Sequence, residues 1–345
     1  VRTEYSNIPV AQVIDNDGVA AAIQKKHVAS VLYTYRCTLA CRHCLFSCSP
    51  RRPNVHVGLE DGLEYLRQLH QTDRVIHIAG GEAMMYWSPL IELCRQAVRE
   101  GVAPHFVETN ATWCISDEVA HRRLEQLRET GVLGLLISAC PHHQHECPAE
   151  NYDRCLRAAV EVFGDRNVAA GRFTMDQLRD LEAIARDEAR LAEYVRANPP
   201  CLVGRAGEVL SRYLPDRPIG ELAHDWTWKG PEDGMACRTQ FDPETIWEIH
   251  VDPYGNVTTC CGIIIGNARQ APLAGLLSGE GWLANPLVNA VYHEGPIGLL
   301  NMAVERGYVP RDGYPQKCGL CWEVRKFLRP HFPGVLGPDE VYMVD

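Results

Sequence analysis

Three cysteines stand close together in "RCTLACRHC", residues 36–44, as Cys37, Cys41 and Cys44. Spacing alone leaves three readings open. They are a zinc site with a remote fourth ligand, an iron–sulfur cubane held by three thiolates with one iron open, and thiols that share no metal. A second group lies far down the chain: Cys237, Cys260, Cys318 and Cys321. The Cys-x2-Cys pair at 318–321 by itself reads as zinc or iron–sulfur. Between the two groups, "PHHQHECP" (141–148) reads naively as another metal site. Other chemistry-bearing residues are Gly80, Gly81 and Glu82, Thr109 with Asn110, Ser138, Cys140, and Gly204 with Arg205.

The elements around these residues follow a pattern. Strands are expected at 30–37, 74–82, 105–110, 134–140 and 167–173, with a sixth at 201–210. Helices are expected at 59–71, 88–101, 116–131, 150–164 and 175–197, with Ser116 or Asp117 capping the third. Strand–helix alternation implies parallel strands and right-handed crossovers. Six units predict an α/β fold, a partial (β/α)6 TIM barrel. The special residues fall where strands end, the rim on which barrels build active sites. Near 212 the composition shifts. "TIWEIHVDPYGNVTTCC" (245–261) reads as a β-hairpin turning at Pro253–Tyr254–Gly255. A small α+β unit with this hairpin is expected there.

The net charge of −10 argues against a nucleic-acid surface. No apolar run reaches bilayer length, and the start "VRTEYSNIPVAQVIDNDG" lacks a signal pattern, so no membrane partner and a cytoplasmic location are expected. In that compartment fifteen cysteines read as ligands, core thiols or reactive thiols rather than disulfides. Cys94, Cys155 and Cys201 are expected in the core. Cys48, Cys140 and Cys147 are candidates for thiols near a rim site.

The first cysteine loop resembles that of the radical S-adenosylmethionine (SAM) superfamily, Cys-x3-Cys-x2-Cys after the first barrel strand. The resemblance continues through Gly80-Gly81-Glu82, "ETN" (108–110), "ISACPHHQ" (137–144) and "GRA" (204–206). It implies a [4Fe-4S] cluster on Cys37, Cys41 and Cys44 whose open iron takes SAM itself. An electron then yields a 5′-deoxyadenosyl radical, which abstracts hydrogen from an unactivated carbon. Glu82 is implied to hold the methionyl amino group, with Gly80, Gly81 and Asn110 beside it. Ser138 and Arg205 are implied at the ribose and carboxylate, the alternative for Arg205 being a surface or interdomain ion pair. His43 stands where the family has an aromatic residue against the adenine. Cys140 replaces the usual fourth-strand Asp, and is the candidate catalytic thiol, able to return hydrogen to a substrate radical. The 141–148 loop is implied to face substrate.

The second group resembles a twitch domain, the short form of the SPASM domain, with Cys237, Gly255-x4-Cys260 and Cys318-x2-Cys321. It implies one auxiliary [4Fe-4S] cluster, with Cys261 as the competitor of Cys260. The expected organisation is an N-terminal extension 1–29, a radical SAM barrel 30–212, a linker 213–233, an auxiliary domain 234–325 and a tail 326–345. The expected activity is that of a radical SAM enzyme modifying a ribosomally made peptide or protein by oxidation, crosslinking or epimerisation. A small-molecule oxidoreductase acting on a sugar or aminocyclitol is the alternative. A non-catalytic iron–sulfur or zinc protein is the rival class. A one-electron reductant such as flavodoxin or ferredoxin is the expected partner.

Overall fold

The computed structural model describes residues 8–224, 234–279 and 281–344. The chain forms two compact units. The first comprises Val1–Ala40, Ser49–Glu188 and Glu248–Gly255; the second comprises Cys41–Cys48, Ala189–Trp247 and Asn256–Asp345. This division differs from the expected boundary near 212, because residues 189–212 pack with the second unit and 248–255 with the first. Trp226 and Trp228, in the expected linker, lie outside the described residues.

In the first unit, β1 (Val28–Leu32), β2 (Val75–Ala79), β3 (Phe106–Thr109), β4 (Gly134–Ile137) and β5 (Val168–Ala170) pair in parallel, each with the next. Helices Leu59–His70, Trp87–Arg99, Asp117–Glu129 and Ala149–Phe163 cross between them. This is the α/β fold with a parallel sheet expected of a partial barrel. β1 and β2 are buried along their whole length, as strands covered on both faces must be. Ser116 caps its helix, its Oγ accepting from Val119 N at 3.2 Å.

Two expectations are corrected. Residues 201–210 form no strand; a loop leads into a short helix, Arg205–Val209. The strand beside β1 is instead Glu248–Val251, paired in parallel with it. The hairpin reading of that stretch stands, with a strand on each side of the 252–255 turn; what a short apolar run could not show was the parallel pairing with β1. The long helix at 175–197 is two, Met175–Arg186 and Glu188–Ala197, separated by extended Asp187. The turn at 252–255 forms as expected: Gly255 N donates to Asp252 O at 3.0 Å, and Asp252 Oδ1 accepts from Tyr254 N at 2.8 Å.

Ser30, His77 and His250 stand at one level on adjacent strands. Ser30 Oγ lies 2.7 Å from His250 Nδ1, and His77 Nε2 lies 2.9 Å from Glu248 Oε1. A polar ladder thus runs among buried residues of the sheet, a feature that alternation alone did not reveal.

The second unit contains the antiparallel pair Asn256–Cys260 and Ile263–Asn267 with helices Pro286–Glu294, Pro296–Val304 and Lys317–Leu328. Its core includes fully buried Trp322, stacked on Tyr342 at 4.8 Å between centroids. The expected tail is part of this packing, since the Lys317–Leu328 helix runs past 325 and Val341 O accepts from Ser47 Oγ at 2.8 Å. Among the described residues no helix is long and apolar enough to cross a membrane.

Candidate functional site

Cys37 lies in the first unit, where Arg36 bridges to Ser49 and Cys37 N donates to Ser49 O at 3.1 Å. Residues 38–48 are therefore a closed loop that carries the other two cysteines. Gly80 and Gly81 lie against the backbone entering it. A Cβ on Gly80 would come 2.5 Å from Thr34 O, and one on Gly81 would come 2.0 Å from Arg36 O. With no side chains in the way, Gly81 N donates to Thr34 O at 2.7 Å and Glu82 N to Arg36 O at 3.0 Å.

Glu82 is 1% exposed. Its carboxylate accepts from Met84 N at 3.2 Å, Thr109 Oγ1 at 3.0 Å and Asn110 N at 2.8 Å. It thereby ties the end of β2 to the end of β3. Asn110 Nδ2 in turn donates to Cys37 Sγ at 3.4 Å, and Leu39 N approaches the same sulfur at 3.4 Å. Glu82 so positions a donor on the Cys37 sulfur, a role that the motif alone did not disclose.

Burial pushes the Glu82 carboxyl up to about 7, against the hydrogen bonds that favour its ionised form. Between its ordinary value of 4.5 and about 7 the folded chain then holds a proton that the unfolded chain has lost. That stability is fully present below the lower value and is lost as pH rises through about 7. Relative to Glu82→Gln, the apo protein should lose on the order of 3 kcal/mol across this window. Denaturant unfolding of both proteins from pH 4 to 8 checks it; parallel pH profiles would refute the burial argument.

In the second unit, Cys44 N donates to Cys41 O at 3.1 Å, and Cys48 N donates to Cys44 Sγ at 3.3 Å. Hydrogen bonding from Cys48 overcomes burial and, with the Arg205 charge, brings the Cys44 thiol down to about 6. It is a thiolate at neutral pH, as a metal ligand must be. His43 is held at about 4 by burial and by the Arg205 charge, so its ring is neutral.

Arg205 is 3% exposed and holds this loop. Nη1 donates to Cys41 O at 3.1 Å and Cys48 O at 2.9 Å, and Nη2 to Ser47 O at 3.0 Å. The structure shows for this residue a role that neither expectation included. These donors hold the carbonyls of the first cysteine loop.

Gly204 has φ +61°, and a Cβ there would lie 2.2 Å from Leu45 O and 2.8 Å from Cys44 O. Gly204→Ala should therefore displace the loop and lower iron uptake at Cys41 and Cys44 by at least about tenfold. Gly220→Ala, with open space around it, is the control. Iron assay after anaerobic reconstitution reads the difference, and equal uptake would overturn the packing argument.

Ser138 follows β4, with its N–H donated to Thr109 O at 3.0 Å. Cys140 precedes the short helix Pro141–Gln144, its Sγ 3.1 Å from His143 Nδ1, and burial pushes its thiol up to about 11. It is a neutral thiol at physiological pH. Cys48, Cys94, Cys147 and Cys155 are buried.

The second cysteine group gathers in one cavity of the second unit. Its walls carry Cys237, Cys260, Cys261, Cys318 and Cys321. Cys201, expected in the core, is half-buried and lines the same cavity. The sequence reading missed two cations there, Lys317 and Arg325. The signal was available: Cys318, Cys321 and Arg325 recur at i, i+3 and i+7 on one helix, a single stripe. Lys317 is 1% exposed, and its Nζ donates at 3.1 Å to both Gly234 O and Ala236 O, just before Cys237. Six soft thiol donors sharing a cavity wall with two buried cations suit an anionic thiolate-bound metal group.

Residues 31–139 match the family model described as the radical SAM superfamily. No curated protein matches the chain. Among solved structures, the chain is similar to BtrN in complex with AdoMet and 2-DOIA, with 14% identity, TM-score 0.43 and coverage of 78% of this chain and 87% of that one. It is also similar to anSMEcpe with bound AdoMet, with 11% identity, TM-score 0.33 and coverage of 88% and 97%. A third is HydG, a maturase of the [FeFe]-hydrogenase, with 12% identity, TM-score 0.31 and coverage of 58% and 46%. The family match spans Cys37, Cys41, Cys44, Gly80-Gly81-Glu82, Asn110 and Ser138, and it identifies residues 31–139 as a radical SAM domain.

Proposed function

We propose that this radical SAM enzyme carries out a net two-electron oxidation at an unactivated carbon, with a second, fully ligated iron–sulfur group as electron acceptor. The cavity of the second unit carries this reading. Cys237, Cys260, Cys318 and Cys321 offer four thiolates, enough to close a four-iron cluster with no iron left for substrate. When bound, SAM and the loop cluster supply the hydrogen-abstracting 5′-deoxyadenosyl radical, and the second group supplies an acceptor for the remaining electron.

The chain's own residues fit this division. Cys44 is adjacent to Leu45, and Leu45 lines the auxiliary cavity. Val203 lines it too, one residue before the Gly204–Arg205 pair that holds the loop. One short segment thus supports both thiolate sites. The substrate we propose is a ribosomally made peptide or protein. A sugar or aminocyclitol offers the same hydrogen to abstract and is the competing substrate.

The test is anaerobic reconstitution followed by reduction with SAM present. Formation of 5′-deoxyadenosine with about eight irons per chain is the expected result. Stoichiometric zinc, or about four irons, would overturn the two-cluster reading. Screening precursor peptides against aminocyclitols for deuterium transfer into 5′-deoxyadenosine then selects the substrate class.

A further inference from the structure

Arg325 is the most deeply committed cation of the second unit. It is fully buried on the Lys317–Leu328 helix, one turn after Cys321. Nη1 donates to Cys261 O at 2.7 Å. Nε and Nη2 are buried without a hydrogen-bond partner among the described residues, and the guanidinium lines the cysteine cavity. Among the described residues no carboxylate forms an ion pair with it. The Trp322 ring lies 5.5 Å away, a contact worth far less than hydration.

A buried guanidinium in this state is costly. Each unmade hydrogen bond costs about 1–3 kcal/mol, and an unpaired buried charge costs several more. Something negative must face it. Besides the phenol of Tyr342, the groups that stabilise its charge against burial are the thiolates of Cys321, Cys260 and Cys318. Three cysteine sulfurs and a guanidinium around one cavity suit a thiolate-bound metal group of net negative charge, with a positive wall built in.

We infer that Arg325 sets the reduction potential of the metal group held by Cys237, Cys260, Cys318 and Cys321, with Nε and Nη2 donating toward that group. The assignment rests on the auxiliary-cluster reading above. Reduction adds a negative charge to such a group. A fixed cation and two N–H donors beside it favour the more negative state, and so raise the potential. Lys317 adds charge to the same wall, but its Nζ is also engaged by the carbonyls before Cys237. It therefore holds a ligand segment in place as well, whereas Arg325 has donors left for the group itself.

The experiment uses the full chain with Cys37, Cys41 and Cys44 all changed to alanine, so that only the second site can take iron. After anaerobic reconstitution, iron and sulfide are counted. The midpoint potential is followed by electron paramagnetic resonance in this background and in its Arg325→Lys and Arg325→Gln derivatives. The expected result is about four irons in each. Arg325→Gln should shift the reduction equilibrium at least tenfold toward the oxidised form, about 59 mV for a one-electron couple. Arg325→Lys should shift it less in the same direction, because the charge stays and the planar donors go. If Arg325→Gln takes up no iron, Arg325→Lys carries the test with the same sign. Four irons with an unchanged midpoint would overturn the role of Arg325. A background protein that binds zinc or no iron would overturn the auxiliary-cluster reading itself, and the assignment with it.

Discussion

Replacing Arg205 by alanine is expected to empty the first cysteine loop of iron and to abolish SAM cleavage. The guanidinium donates to three carbonyls, those of the buried residues Cys41, Ser47 and Cys48. Each carbonyl left unpaired costs about 1–3 kcal/mol, so the apo protein should also lose about 3–5 kcal/mol after partial relaxation. Cys41→Ala is the informative comparison. It should abolish SAM cleavage as completely, by deleting a ligand, yet leave those carbonyls paired and the apo stability nearly unchanged. Arg205→Lys should fall between, because one ammonium cannot span three carbonyls as a planar fork does. Chromatographic assay of 5′-deoxyadenosine, iron counting and apo unfolding curves separate the three variants. Arg205→Ala with full iron and normal cleavage would show that the loop holds its shape without the staple.

What sequence could tell about this site depended on distance along the chain. Cys37, Cys41 and Cys44 are local, and so is the glycine pair before Glu82; their types and spacing carry the chemistry directly. Why the glycines are required was not legible. The obstacle to a side chain at Gly81 is the backbone of Arg36, some 45 residues earlier. Arg205 shows the same limit. A motif marked it as functional, but only folding shows its donors on loop carbonyls more than 150 residues away. The first five strands were legible because apolar runs alternate with amphipathic helices. The strand beside β1 was not, because "EIHV" fits a parallel barrel strand as well as a hairpin limb. Arg325 was legible in principle, as the next residue on the helical stripe of Cys318 and Cys321, since helical spacing puts all three on one face.

Cys318→Ala should separate the two halves of the proposed reaction. The first cysteine loop keeps all its ligands, so 5′-deoxyadenosine should still form. Iron should fall from about eight to about four per chain. With the substrate present, oxidised product per 5′-deoxyadenosine should drop about tenfold or more, because a substrate radical that cannot lose its electron does not become the oxidised product. Lys317 complicates the choice of position. It is buried next to Cys318 and donates to the carbonyls of Gly234 and Ala236, so a disturbed helix start would also displace Cys237. Cys321→Ala provides the independent check, one turn further into the helix and away from that lysine. A ligand set also crosslinks distant segments, and its loss can unfold the unit that it closes. Circular dichroism must therefore accompany both variants, and agreement between them identifies loss of the group rather than loss of the fold. A folded variant with half the iron that still makes product at the full rate would rule out electron acceptance at this site. The four thiolates would then serve only to hold residues 237, 260, 318 and 321 together.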